Sequence, residues 1–361
     1  MANGGDTPWT SDMKIKATAL LPILSAVVIG SFATADIPRT AEGKPDMSGT
    51  YNVGTSTSMQ RNRIFGDNRY MTEEQAERYA RATQSILQGR TESDPDREAP
   101  PEGGDGSPGA AGNVGGYNAF WIPRDGTTSV GKMIPTSIIY EPENGRYPPR
   151  TEKSRERMAS RYRNYRQNDG TAWWLENEGP GPYDDPELRP LAERCLLGFS
   201  STSGPPMLPA LYNNTKRIVQ TPDTVMILIE MNHDARIVRM NGGPVAPDVR
   251  KWMGDSVGHW EGDTLVVDTT NFADRPGLGG ATRNLHVVER FSRVDESTLL
   301  YDFTVDDPTV WTQPWQGQYS WPETEERLYE YACHEGNYAL GNILRGARIL
   351  EADAVTAQGG E

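Results

Sequence analysis

The chain has 361 residues, with 50 acidic side chains against 36 basic ones and a formal net charge of −14. It is long enough to bury a sizeable core as one large domain or two modest ones. The charge repels phosphate backbones and anionic membranes on average, which sets aside nucleic acid as a partner.

Residues 1–35 read as an address. Met13 to Lys16 is a short basic stretch, "ATALLPILSAVVIGSF" is apolar, and Ala33-Thr34-Ala35 is a small-x-small cleavage signal. The apolar run is about 16 residues and contains Pro22, short of the ~20 needed to span a bilayer, so a membrane anchor is the weaker reading. Residues 1–12 precede a good start at Met13 and read as an upstream extension. The expectation is a secretory signal peptide, a mature chain from near Asp36 with no integral membrane span, and a periplasmic or secreted location. Two cysteines in an oxidising compartment are more often paired than free. Cys195 and Cys333, 138 residues apart, are therefore expected to form a disulfide.

Past Asp36 the chain is polar and turn-rich, with a first strand at "SGTYNVGT". "TEEQAERYARATQSIL" opens on a capping box, Thr72 with Gln75, and predicts a helix to about Leu87. Residues 89–116 are rich in glycine, proline and acid and predict a long loop. A phosphate cradle there lacks a GKS or GKT ending and a preceding apolar strand. "TSIIYEPENGRYPP" reads as a strand entering an Asn144-Gly145 turn. The next stretch carries seven Lys/Arg between Arg150 and Arg166 and predicts a solvated basic helix.

From Thr215 the texture changes to short alternating runs split by turns: "KRIVQT", "TVMILIEM", "ARIVRM", "GHWEG", "DTLVVDTT", "LHVVERFSRV", "STLLYDFTV" and "RLYEYAC". Such strands point to an antiparallel barrel or a strongly curved sheet. "NYALGNILRGARILEAD" then closes the chain as a helix, with apolar positions 340, 343, 344 and 347 on one face.

Register can be read where only one face is apolar, because a slip of one residue exchanges the faces. Matching Leu285, Val287, Glu289 and Phe291 to Leu299, Tyr301, Phe303 and Val305 sets Arg290 opposite Asp302 and His286 near Asp306. In "VGHWEGDTLVVD" the same reasoning pairs Trp260 with Leu265 and Gly258 with Val267, and turns His259 outward.

Candidate chemistry gathers at strand ends. His233 followed by Asp234 suits a general base with its orienting carboxylate, although Asn232-His233-Asp234 are also ordinary turn residues. Glu230 lies inside an apolar strand, so it is either paired with an arginine or perturbed in pKa. The four histidines show no HExxH or HxH spacing and the cysteines no CxxC, so no metal or cofactor is implied. Ser200, Ser201 and Ser203 lack a G-x-S-x-G frame. Trp311, Trp315, Tyr319 and Trp321 read either as ring platforms for a ligand or as core and lid packing.

The phrases "ERCLLGF", "EMNHDARIVRM", "GHWEGDTLVVDTTNF" and "YEYACHEGNYALGNIL" resemble an uncharacterised family of exported proteins of Gram-negative bacteria, over roughly residues 170–350. That resemblance carries over no activity. The strand pattern also looks like lipocalin-type barrels, which bind apolar molecules in a cup and occasionally catalyse isomerisation or elimination there. Fold does not fix function.

The expected fold is mainly β. An antiparallel, lipocalin-like β-barrel with a C-terminal helix occupies 215–361, and 36–214 is a helical and loop elaboration within the same composite domain. The expected function is an exported enzyme, a lyase, isomerase or hydrolase, acting on a small organic or sugar-like substrate at the barrel mouth. In it His233 is the general base or acid, Asp234 orients it, and Glu230 or His334 is the second proton-transfer group. Arg194 or Arg236 holds an anionic group, and Trp311 and Trp315 contact the substrate. The alternative is a binding protein or carrier for an apolar small molecule.

Overall fold

The computed structural model describes residues 37–91, 126–163, 169–210 and 212–358. The expected signal peptide, most of the Gly/Pro-rich loop and the end of the basic run lie outside them.

Among the described residues twelve strands and three α-helices follow in chain order: β1 (Gly49–Asn52), β2 (Tyr70–Met71), α1 (Glu73–Thr91), β3 (Ile134–Pro135), β4 (Ile139–Glu141), α2 (Glu152–Arg163), β5 (Thr215–Gln220), β6 (Thr224–Ile229), β7 (Ala235–Met240), β8 (Asp255–Glu261), β9 (Thr264–Thr270), β10 (His286–Arg293), β11 (Thr298–Asp306), β12 (Trp315–Pro322) and α3 (Tyr338–Gln358). The capping box forms in both directions: the Thr72 amide donates to Gln75 Oε1 at 2.9 Å and the Gln75 amide to Thr72 Oγ1 at 3.2 Å.

Ten strands make one curled, half-barrel sheet in the order β1-β5-β6-β7-β8-β9-β10-β11-β12-β4, while β2 and β3 pair separately. The hairpin registers are those the alternation dictates, with His286 opposite Asp306, Arg290 opposite Asp302 and Trp260 opposite Leu265. Two sequence expectations need correction. The sheet is mixed rather than wholly antiparallel, because β7 and β8 run parallel. Residues 241–254 connect them as a crossover rather than a hairpin, which a parallel pair requires. The last strand is also not "RLYEYAC", which is irregular. It is β12, where Trp315, Gly317, Tyr319 and Trp321 alternate inward against outward Gln316, Gln318 and Ser320. The N-terminal half supplies two strands of the sheet, β1 and β4, and a bridge between Tyr51 and Glu323 sets β1 beside the end of β12.

The concave face is packed solid. Phe291, Tyr301, Phe303, Trp315, Tyr319 and Trp321 fill one side of it, with ring centroids 4.7 Å apart for Tyr301 and Trp321. The chain itself fills the rest. Residues 201–208 are buried throughout and run through the interior as a plug. Tyr301 Oη accepts from the Met207 amide at 2.9 Å, and Tyr319 Oη donates to the Met207 carbonyl at 2.7 Å. Burial lifts both phenols far above their ordinary pKa, so each stays a hydroxyl.

Inside the same face lies a buried ion pair. Arg236, 3% exposed, forks onto Glu289, 0% exposed, with Nη1 donating to Oε1 at 2.8 Å and Nη2 to Oε2. Ser256 and Thr269 accept from the same guanidinium at 3.0 and 2.9 Å, and Tyr301 Oη donates to Glu289 at 2.7 Å. Both charges are thus compensated and hydrogen-bonded, the condition under which a buried pair is tolerated.

Outside the sheet, α3 docks on Trp173 and Trp174 through Ala347, and Trp174 Nε1 donates to Glu351 at 2.7 Å. Cys195 and Cys333 are bonded, with their Cα atoms 5.8 Å apart. The bridge joins the segment before the plug to the irregular segment before α3.

Candidate functional site

A cavity of about 1210 Å³ opens at the rim of the sheet where these segments meet. Its floor is the start of β5 and the end of β6, one wall is Ala192 and Glu193, and the opposite wall runs from Glu326 to Asn337 and onto α3. The disulfide holds the two walls together, since Cys333 lines the cavity and Cys195 follows Glu193 by two residues.

Glu230 is the buried carboxylate on the floor. The apolar run of β6 ends at Ile229, and the Glu230 amide is pinned to the Thr215 carbonyl at 3.0 Å, which leaves its side chain at the cavity. It is 6% exposed, and Asn213 Nδ2 donates to Oε1 at 3.0 Å. Among the described residues that is the one hydrogen bond its carboxylate accepts.

Behind the floor sits Lys216, 0% exposed, whose Nζ donates to the Thr202 carbonyl of the plug at 2.8 Å. Burial drives its pKa down to about 7, against the pull of Glu230 and Asp234. Asp234 moves the other way. Burial raises it, while the Ser203 hydroxyl, the Gly198 amide, His233 and Lys216 hold it down. Its Oδ2 and the Nδ2 of Asn232 are buried without a hydrogen-bond partner among the described residues.

The backbone here is strained as well. Seven described non-glycine residues have positive φ, and Cys195, Ser201, Asn213, Asn232 and His233 belong to the three segments around this floor. Each such conformation costs on the order of 1–3 kcal/mol and persists only where surrounding structure enforces it, a pattern that clusters at functional sites.

The structure distributes the sequence-predicted residues unevenly. Glu230 lines the cavity. His233 is exposed beside it, and Asp234 turns toward Ser203 and Gly198 rather than toward the imidazole. His334 is exposed on the wall segment, between the lining residues Cys333 and Gly336. Arg194 donates to Glu187 at 2.6 Å. Arg236 is engaged inside the sheet, and Trp311 and Trp315 are buried in the core, Trp311 beside Tyr147 and Arg150. Among the described residues no group of His, Cys, Asp and Glu side chains has the geometry to hold a metal ion, and no helix is long and apolar enough to cross a membrane.

Sequence reasoning missed Lys216. The signal was present, because "TKRIVQ" puts Lys216 in phase with the buried Ile218. Asn213 and the 326–337 wall gave no such signal, since irregular segments have no period. No protein-family model, no curated protein and no solved structure matches the chain.

Proposed function

We propose that this is an exported protein on a lipocalin-like frame that binds a small organic molecule in the rim cavity, and that it is an enzyme acting by acid–base chemistry with Glu230 as the proton-transfer group. The observation that carries the reading is Glu230 itself: nine-tenths buried at a 1210 Å³ cavity, held by a neutral amide and in no ion pair with a described residue. A carboxylate in that setting can give or take a proton at a substrate atom within hydrogen-bond reach. Lys216 behind it, near neutrality in pKa, lets the charge beneath the floor change in the working pH range. The Tyr51–Glu323 bridge supports lipocalin-like closure, and the disulfide supports an oxidising location.

A carrier is the second reading, favoured by the exposed positions of His233 and His334, which put no imidazole on the cavity floor. In either reading the ligand occupies the rim rather than the cup, because the cup holds residues 201–208. Wild type and Glu230→Gln, an isosteric change, are compared across a panel of small organic substrates by product detection and calorimetry. The enzyme reading expects turnover by wild type, lost by about 10²-fold or more in Glu230→Gln with binding retained. Equal turnover by both proteins, or binding without turnover by wild type across the panel, removes it.

A further inference from the structure

Resting on the rim cavity as the binding site, we infer that its ligand is an organic cation: a protonated or quaternary amine carrying an aromatic or short aliphatic group.

The charges at the cavity are one-sided. Among the described residues, Glu193, Glu230, Glu326 and Glu330 line it against Arg327 alone. Glu193 is taken by Arg189, whose Nη2 lies 2.8 Å from it, and Glu326 meets Asn52 at 3.4 Å. Glu330 engages no described side chain, and Glu230, which lines the cavity at 6% exposure, accepts among the described residues the Asn213 amide alone. Removing a carboxylate from water is costly when the nearest counter-charge, Lys216, is itself buried and pushed toward neutrality, and a bound cation supplies a full partner.

The rest of the surface suits the remainder of such a ligand. Tyr329 and Tyr331 stand on the same wall, and rings of this kind attract a cation to their faces and stack on an aromatic group. Burial and the neighbouring Tyr212 push the Tyr331 phenol up to about 12, so it adds no negative charge of its own. Leu340 and Ile343 of α3 close the far side with apolar surface. An anionic ligand would meet Glu230, Glu326 and Glu330, none in an ion pair with a described residue, with one lining arginine to balance them.

Three probes of one shape test this: phenethylammonium, 3-phenylpropionate and 2-phenylethanol, titrated into the full disulfide-bonded protein by calorimetry and by amide shifts of ¹⁵N-labelled protein. The expected result is shifts confined to 213–215, 230 and 326–343, with phenethylammonium bound at least about tenfold more tightly than the other two. Glu326→Gln and Glu330→Gln, at exposed positions that leave the fold alone, each weaken it about two- to fivefold, and rising salt weakens it further. If the alcohol or the carboxylate shifts the cavity amides as strongly as the amine does, the cation assignment falls while the cavity remains the site. If none of the three probes shifts those amides, the cavity reading falls with it.

Discussion

Replacing Arg236 with methionine tests the account of the sheet interior. The change keeps much of the side-chain volume but strands Glu289, fully buried, with only Tyr301 Oη still donating to it. Breaking one partner of a buried pair costs about 3–5 kcal/mol, because the remaining charge has lost its compensation. Adding Glu289→Gln removes that charge and keeps an acceptor for Tyr301, while Ser256 and Thr269 hold each other at 2.9 Å. Glu289→Gln alone strands Arg236 at a similar cost, so the double variant should recover to within about 2 kcal/mol of wild type, with a coupling energy of about 4 kcal/mol or more in the cycle. Urea unfolding at neutral pH, followed by tryptophan fluorescence with the disulfide intact, gives all four corners. A single variant less than about 1 kcal/mol below wild type, or a double variant no better than the single one, would refute the reasoning.

Two further outcomes concern the floor of the cavity and the staple. Lys216 titrates at about 7 in the folded protein and near 10.4 in an unfolded chain, so between those values the unfolded state binds more protons and stability rises with pH. The stability of wild type minus that of Lys216→Met should climb from pH 7 to pH 10 by about 1.4 kcal/mol per pH unit, measured by urea unfolding at each pH; a flat difference contradicts the depressed lysine. Changing Cys195 and Cys333 together to serine opens a closure of 138 residues and should cost about 5 kcal/mol on the chain-entropy account, read by the same titration. A loss below about 1 kcal/mol would mean that the two walls are held by other contacts.

What was legible in the sequence followed from period. The hairpins β8–β9 and β10–β11 could be registered because inward apolar and outward polar residues alternate, and Glu289 was placed on its correct face without a partner. Arg236 could not be named as that partner from pattern, since β7 and β10 are separated in the sheet by β8 and β9 and their side chains meet only across the curled interior. β12 was hidden by its aromatic density, which resembles a ligand platform, although its inward residues also repeat every second position. The plug had no readable pattern. Its serines, prolines and glycine describe a surface loop by composition, and burial of that backbone is tolerable because the two tyrosine hydroxyls at Met207, Lys216 Nζ at the Thr202 carbonyl and Ser201 Oγ at the Gly204 and Pro206 carbonyls satisfy it. Of the expected site, the disulfide was accessible from residue types alone; Glu230 follows β6 rather than lying inside it and meets Asn213 rather than an arginine, and the walls that make a cavity around it come from irregular segments.

The plug also separates what this fold can change from what it cannot. Its carbonyl at Thr202 holds Lys216, and its Met207 is held by strands that arrive about a hundred residues later, so emptying the interior for a ligand would unpick polar contacts from β5, β11 and β12 together. The rim wall at 326–337 bears a lighter obligation, because it belongs to no strand and is held by the disulfide, by Asn337 Nδ2 donating to the Glu193 carbonyl at 2.7 Å, by Asn52 at Glu326 and by α3. Substitutions there can reshape recognition while the sheet stays as it is. Diversity among chains of this design should therefore concentrate in that wall, with the interior acting as an inherited constant.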